Sequence, residues 1–168
     1  MTPESHFVTI DTGSSGAVCV YHRQDKLFTL TPLRGLSPEL ILPILDEACG
    51  ATDNLEQVII EEPPRFMGTM IPSSRISVLF ESFGIMIGYL MANGIKPRRV
   101  PPQSWQKPYR EAIGYKRGEM KHSEWKKVLT KYAKLHYPCD GLTNQTTDAL
   151  LMAHWYLQQP LPNNNTNT

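Results

Sequence analysis

Three acidic residues stand where folding could bring carboxylates together. Asp11 closes the run HFVTID (6–11), Glu61 closes QVIIE (57–61), and Asp148 opens the helical pattern of TTDALLMAHW (146–155). If the two runs are neighbouring strands, Asp11 and Glu61 emerge at one sheet edge, and a helix packed across that edge would add Asp148. Three convergent carboxylates cannot all stay ionised without cations between them. Oxygen-only donors suit Mg2+ or Mn2+. Two such ions, about 3.5–4 Å apart, can activate a water and stabilise the leaving oxygen of a phosphodiester. Each acid alone has an ordinary explanation as a strand end, or as a helix start favoured by the helix dipole. Their joint placement is what points to chemistry.

Basic residues form a second pattern. Between Lys96 and Lys131 there are 11 Lys and Arg against three Glu, so that segment carries +8 while the rest of the chain carries −7. A nearly neutral protein can thereby present a locally positive surface, although scattered lysines on a solvated helix face would give the same count. Within the segment, Lys107 and Lys121 are candidates to neutralise a phosphate or its transition state, with His122 beside Lys121. Arg98, Arg99, Arg110, Lys116 and Arg117 suit contacts to a phosphate backbone. Arg65 and Phe66 follow Glu61 in a proline-rich stretch, where an apolar wedge could enter between bases or simply cover the core edge. Trp105 and Trp125 fit packing better than base stacking.

The elements that must position these groups are legible in outline. Residues 6–11, 16–21 and 27–31 read as three strands of an antiparallel meander, with a turn at Asp25-Lys26. Ser37-Pro38 starts a helix that Gly50 ends. Residues 57–61 form a continuous apolar strand of the kind buried at a sheet centre. Residues 63–73 read as a loop. Residues 74–93 form a long helix with the stripe Ile76, Leu79, Phe80, Phe83, Ile87, Leu90 and Met91, and with Gly84 and Gly88 four apart. A short strand at 97–100 follows, then turns and short helical pieces over 103–121. Helices at 122–136 and from 146 or 147 to 158 complete the pattern. The expected architecture is α/β: a mixed five-stranded sheet, three antiparallel strands plus parallel ones, flanked by helices. Residues 1–160 read as one domain and 161–168 as a polar disordered tail. Cys19, Cys49 and Cys139 are odd in number and far apart, which favours reduced thiols over a disulfide framework or zinc site. The polar start leads directly into a strand, so neither an export or transit signal nor a membrane span is expected, and the location expected is cytoplasmic or nucleoid-associated.

The motifs around the acids resemble those of RuvC-type Holliday junction resolvases, within the ribonuclease-H-like superfamily. IDTGSSGAVCV (10–20) is similar to the opening strand of that family. IIEEPPRF (59–66) is similar to its central strand, especially to the Glu-Gln-Pro-Pro run of the chloroplast branch, with Glu61 at the metal-binding place and Glu62 replacing the Gln. VPPQSWQK (100–107) is similar to the proline-containing strand exit, Lys121 stands where the second important lysine is found, and TTDALLMAHW resembles the closing helix. The resemblance runs in order from about residue 6 to 157. It implies a homodimeric endonuclease that resolves four-way DNA junctions by paired nicks, with two divalent ions per site held by Asp11, Glu61 and Asp148. It also implies a dimer interface on helix 74–93, catalytic help from Lys121, and no small-molecule cofactor.

One departure stands out. The family usually places a fourth ligand, Asp or His, three residues before the last Asp; here that residue is Gln145. A Gln oxygen can meet a metal but brings no charge. A variant site, a weaker second metal and an inactive form all remain open. Three alternatives therefore accompany the resolvase: a non-catalytic junction binder of the same fold, a nuclease for structured RNA, and an actin-like or sugar-kinase-like nucleotide binder, since DTGSSGA also resembles a phosphate-binding hairpin. The last would need two lobes and a longer chain.

Overall fold

The computed structural model of the protein describes residues 5–13, 15–50, 52–64, 73–116, 118 and 120–160. The tail 161–168, Arg65, Phe66 and Arg117 lie outside the described residues. Strands β1 (His6–Asp11), β2 (Ala17–His22) and β3 (Leu27–Pro32) form the meander, followed by α1 (Pro38–Cys49), β4 (Leu55–Glu61), α2 (Ser73–Ala92), β5 (Arg98–Val100), α3 (Pro102–Ile113), α4 (His122–His136) and α5 (Thr147–Leu157). The five strands make one sheet in the order β3-β2-β1-β4-β5. β1–β2 and β2–β3 are antiparallel, whereas β1–β4 and β4–β5 are parallel. This is the expected mixed sheet.

Alternation along the strands sorts side chains onto two faces. Val8, Ile10, Val18, Val20, Val58 and Ile60 pack with Ile41 and Leu45 of α1 and with Met86, Ile87 and Leu90 of α2. Phe7, Cys19, Tyr21 and Ile59 face the other way, against Trp105, Tyr109, Trp125, Leu129 and the run Ala149–Ala153. α5 is buried along most of its length. Its alanines let it lie close to the sheet, where Thr9 Oγ1 donates to the Ala149 carbonyl at 2.7 Å. Among the described residues, no helix is long and apolar enough to cross a membrane.

The structure departs from the expected elements at residues 103–121. A continuous 12-residue helix, α3, replaces the turns and short pieces over Pro102–Ile113. Pro102 occupies the first turn, where its missing N–H costs nothing. Pro108 lies in the interior, where proline normally breaks a helix. Burial of Trp105 and Tyr109, four residues apart on the inward face, holds the helix through it. The stripe of α2 also divides. Ile87 and Leu90 are buried in the sheet-facing core, while Phe80 and Met91 remain 45% and 62% exposed.

A candidate active site at the sheet edge

Parallel pairing of β1 with β4 matches Ile10 to Ile60, so Asp11 and Glu61 are the next residues out at the same edge. The chain turns sharply after Asp11. Gly16 N–H donates to the Gly13 carbonyl at 2.8 Å, and a Cβ on Gly16 would lie 2.1 Å from the Asp11 carbonyl oxygen. Only glycine allows that approach. Gly13 N–H donates to Asp11 Oδ1 at 3.3 Å, and Thr12 Oγ1 reaches the Glu61 carbonyl at 3.3 Å, tying the two strand ends together. α5 crosses this edge and brings Asp148 from its first turn. A cleft of about 700 Å³ is lined by Asp11, Glu61 and Asp148 together with His122, Lys126 and Pro63.

The electrostatics are those of acids forced together. Burial first, then the Asp148 charge, pushes the Asp11 carboxyl up to about 7, against opposing pulls from Lys126 and the Gly13 N–H. Burial, Asp11 and Asp148 likewise raise Glu61 well above the ordinary carboxylate range, while a hydrogen bond from Trp105 and the Lys126 charge pull it down. That bond runs from Trp105 Nε1 to Glu61 Oε2 at 2.6 Å. Lys126 bonds to Asp148 Oδ2, and its ammonium lies 4.0 Å from Asp11 Oδ2. Burial would lower its pKa, but Asp148 and Asp11 outweigh that and raise it. Asp148 Oδ1 is buried with no hydrogen-bond partner among the described residues.

The structure brings together three of the expected site residues and separates others. Lys121 is exposed and serves as the N-cap of α4, its backbone N–H donating to Glu124 Oε2 at 2.9 Å; it does not line the cleft. Lys126 occupies the place at the acids instead. Helical geometry could have identified it: Trp125, Leu129 and Ala133 are the buried stripe of α4, and position 126 projects within about 20° of position 133. Gln145 falls in the turn before α5, with its N–H bonded to Thr143 Oγ1, and is not among the cleft-lining residues. Lys107, Arg110 and Lys116 gather at a separate depression of about 420 Å³ by the end of α3. Arg98 leans over Trp155 at 5.4 Å and Arg99 over Phe83 at 5.7 Å, so each has a packing partner on a different face of the sheet. Trp105 and Trp125 are buried, as expected for packing.

As arranged, no three His, Cys, Asp or Glu side chains among the described residues close into a metal cage. The donor set nonetheless fits a hard cation. Its carboxylates repel one another, one buried Asp148 oxygen has no partner among the described residues, and a lysine ammonium already supplies positive charge between two of them.

No protein-family model matches the chain, and no curated protein matches its sequence. Solved structures do match. RuvC from Thermus thermophilus superposes with a TM-score of 0.51 at 12% identity, over 90% of this chain and 95% of that one. The same protein in complex with a Holliday junction substrate gives 0.53 at 9% identity, over 90% and 94%. The yeast mitochondrial Holliday junction resolvase Ydc2 gives 0.52 at 12% identity, over 92% and 78%. The fold is ribonuclease-H-like, of the RuvC kind. Within that RuvC-like fold, the carboxylate cleft of this chain lies where the parallel strands β1 and β4 end, the usual place for a ligand on such a sheet.

Proposed function

We propose that the protein is a divalent-metal-dependent endodeoxyribonuclease that resolves four-way DNA junctions by paired nicks. The observation that carries this reading is the convergence of Asp11, Glu61 and Asp148, from β1, β4 and α5, on one open cleft. The RuvC-like fold and the basic residues of α3 support it.

Asp11, Glu61 and Asp148 would hold Mg2+ or Mn2+. Metal bound there supplies an activated water and charge stabilisation at the leaving oxygen. Trp105 fixes the orientation of the Glu61 carboxylate, and the Gly13–Gly16 turn holds Asp11. His122 and Lys126, one helical turn apart, face the cleft from α4 and meet the phosphate. Lys107, Arg110 and Lys116 grip backbone phosphates of a junction arm, setting salt dependence rather than sequence choice. Cutting both strands of a junction symmetrically needs two sites related by a two-fold axis. The exposed face of α2, with Phe80, Met91 and the open surfaces of Gly84 and Gly88, supports a homodimer through that helix. A cytoplasmic or nucleoid-associated location would suit action on junction DNA.

With Lys126 bonded among the acids and Gln145 away from the cleft, a junction binder without nuclease activity would keep this same fold. One panel separates the two. Labelled four-way DNA junction, linear duplex and four-way RNA are incubated with wild type and Asp11→Asn, in Mg2+ and in Mn2+. Symmetric nicks on the DNA junction alone, absent in the variant, establish the resolvase. Tight junction binding without nicks establishes the binder, and nicks on RNA alone move the substrate.

A further inference from the structure

The carboxylate cleft already holds a cation belonging to the protein. The Lys126 ammonium is bonded to Asp148 Oδ2 and lies 4.0 Å from Asp11 Oδ2, with 21% of its side chain exposed. Removing an ammonium from water is costly, and the acids compensate that cost here. The dependence is mutual, since without Lys126 the paired acids would be buried charges with no counterion. A divalent ion held by the same two carboxylates would lie beside that ammonium. An ammonium and a divalent ion that close repel strongly. The side chain that must yield is a flexible one on the wall of an open cleft of about 700 Å³.

We propose that Lys126 is a displaceable resident cation: it neutralises Asp11 and Asp148 in the metal-free protein, leaves them when a divalent ion binds, and carries its ammonium into the cleft toward a bound phosphate. The proposal rests on the metal-dependent reading above. It joins two events that the fold would otherwise leave independent. A phosphate in the cleft that accepts the ammonium releases the acids for metal, and by linkage metal raises the affinity for phosphate by the same factor. The protein alone is therefore a weak metal binder, and the protein on DNA a stronger one.

Two measurements on the full chain without DNA test this. Calorimetric titration with Mn2+ compares wild type with Lys126→Met, Lys126→Arg and the exposed control Lys127→Met. Lys126→Met is expected to bind at least about tenfold tighter, with the other two close to wild type. Unchanged or weaker binding by Lys126→Met overturns the exchange. The second measurement needs no variant. Lysines of the wild-type protein are reductively methylated with formaldehyde and a hydride donor, and modification is located by mass spectrometry. Lys126 is expected to be protected in EDTA and to react at the pace of Lys127 in Mn2+; equal protection in both overturns the proposal. Neither readout involves cleavage. Displacement of Lys126 by Mn2+ in a protein that cuts no junction would leave the exchange standing and remove the nuclease reading.

Discussion

Trp105 and Glu61, 44 positions apart in sequence, are joined by a hydrogen bond of 2.6 Å from the indole Nε1 to carboxylate Oε2. Trp105 is fully buried, and α3 enters the core beside the end of β4 through it. The bond engages one carboxylate oxygen of a residue that lines the cleft. Trp105→Phe keeps most of the apolar volume and deletes the donor. It is expected to lower Mn2+ affinity by about 10- to 100-fold, the usual cost of removing a group that orients a ligand. Calorimetry reads the affinity, and the urea midpoint checks that folding is retained. Wild-type affinity in a folded Trp105→Phe would show that Glu61 needs no such support.

Lys121 and Lys126 should part company in function. Lys121 is exposed at the N-cap, whereas Lys126 reaches Asp11 and Asp148. Lys121→Ala is expected to change junction cleavage by no more than about twofold, as exposed charges usually do. Lys126→Ala is expected to lower the rate by about 100-fold, the scale of losing one transition-state donor. Single-turnover rates on a labelled junction separate them, and equal losses in both variants would return the role to Lys121.

The contrast between these lysines shows where the sequence could be read and where it could not. Asp11, Glu61 and Asp148 were legible because each is fixed by its element's end, and strand alternation and helix starts mark those ends locally. The meander, β4 and α2 were legible for the same reason. Lys126 was hidden among 11 cationic residues of one segment, because only the buried stripe of α4 tells its direction apart from that of its neighbours. α3 was hidden because Pro108 is a local veto on a helix, overridden only by burial of Trp105 and Tyr109 against the sheet and α5. The Trp105–Glu61 bond depends on that tertiary docking, so no local pattern could announce it.

The outer face of α2 makes a separate prediction. Phe80 and Met91 are exposed there, and a Cβ at Gly84 or Gly88 would meet nothing within 4 Å among the described residues. An apolar stripe with small residues suits close approach of a second copy. Phe80→Glu is expected to convert a dimer to monomers in sedimentation velocity and to leave the thermal transition of the monomer cooperative. Loss of paired nicking with retention of single nicks would accompany it. A wild-type protein that sediments as a monomer at micromolar concentration would remove this interface.

His154 sets an acid-side limit on stability that does not involve the cleft. Its ring lies 3.9 Å from the Tyr137 ring and 4.6 Å from Phe28, and Lys26, His136, Cys139 and Asp140 line the same depression. Burial depresses its pKa from 6.5 to about 4. Between pH 6.5 and 4 the unfolded chain takes up a proton on this imidazole while the folded protein does not, so acid favours unfolding. The stability attached to a neutral His154 is complete above pH 6.5, declines as the pH falls, and levels off below about 4. His154→Phe keeps an aromatic ring between Phe28 and Tyr137 and removes the proton site. The fall in urea midpoint from pH 7.5 to pH 5 is therefore expected to be smaller in His154→Phe than in wild type. An equal fall in both proteins would mean that the ring is as easily protonated in the fold as in the open chain, and the aromatic stack would then have to accommodate an imidazolium.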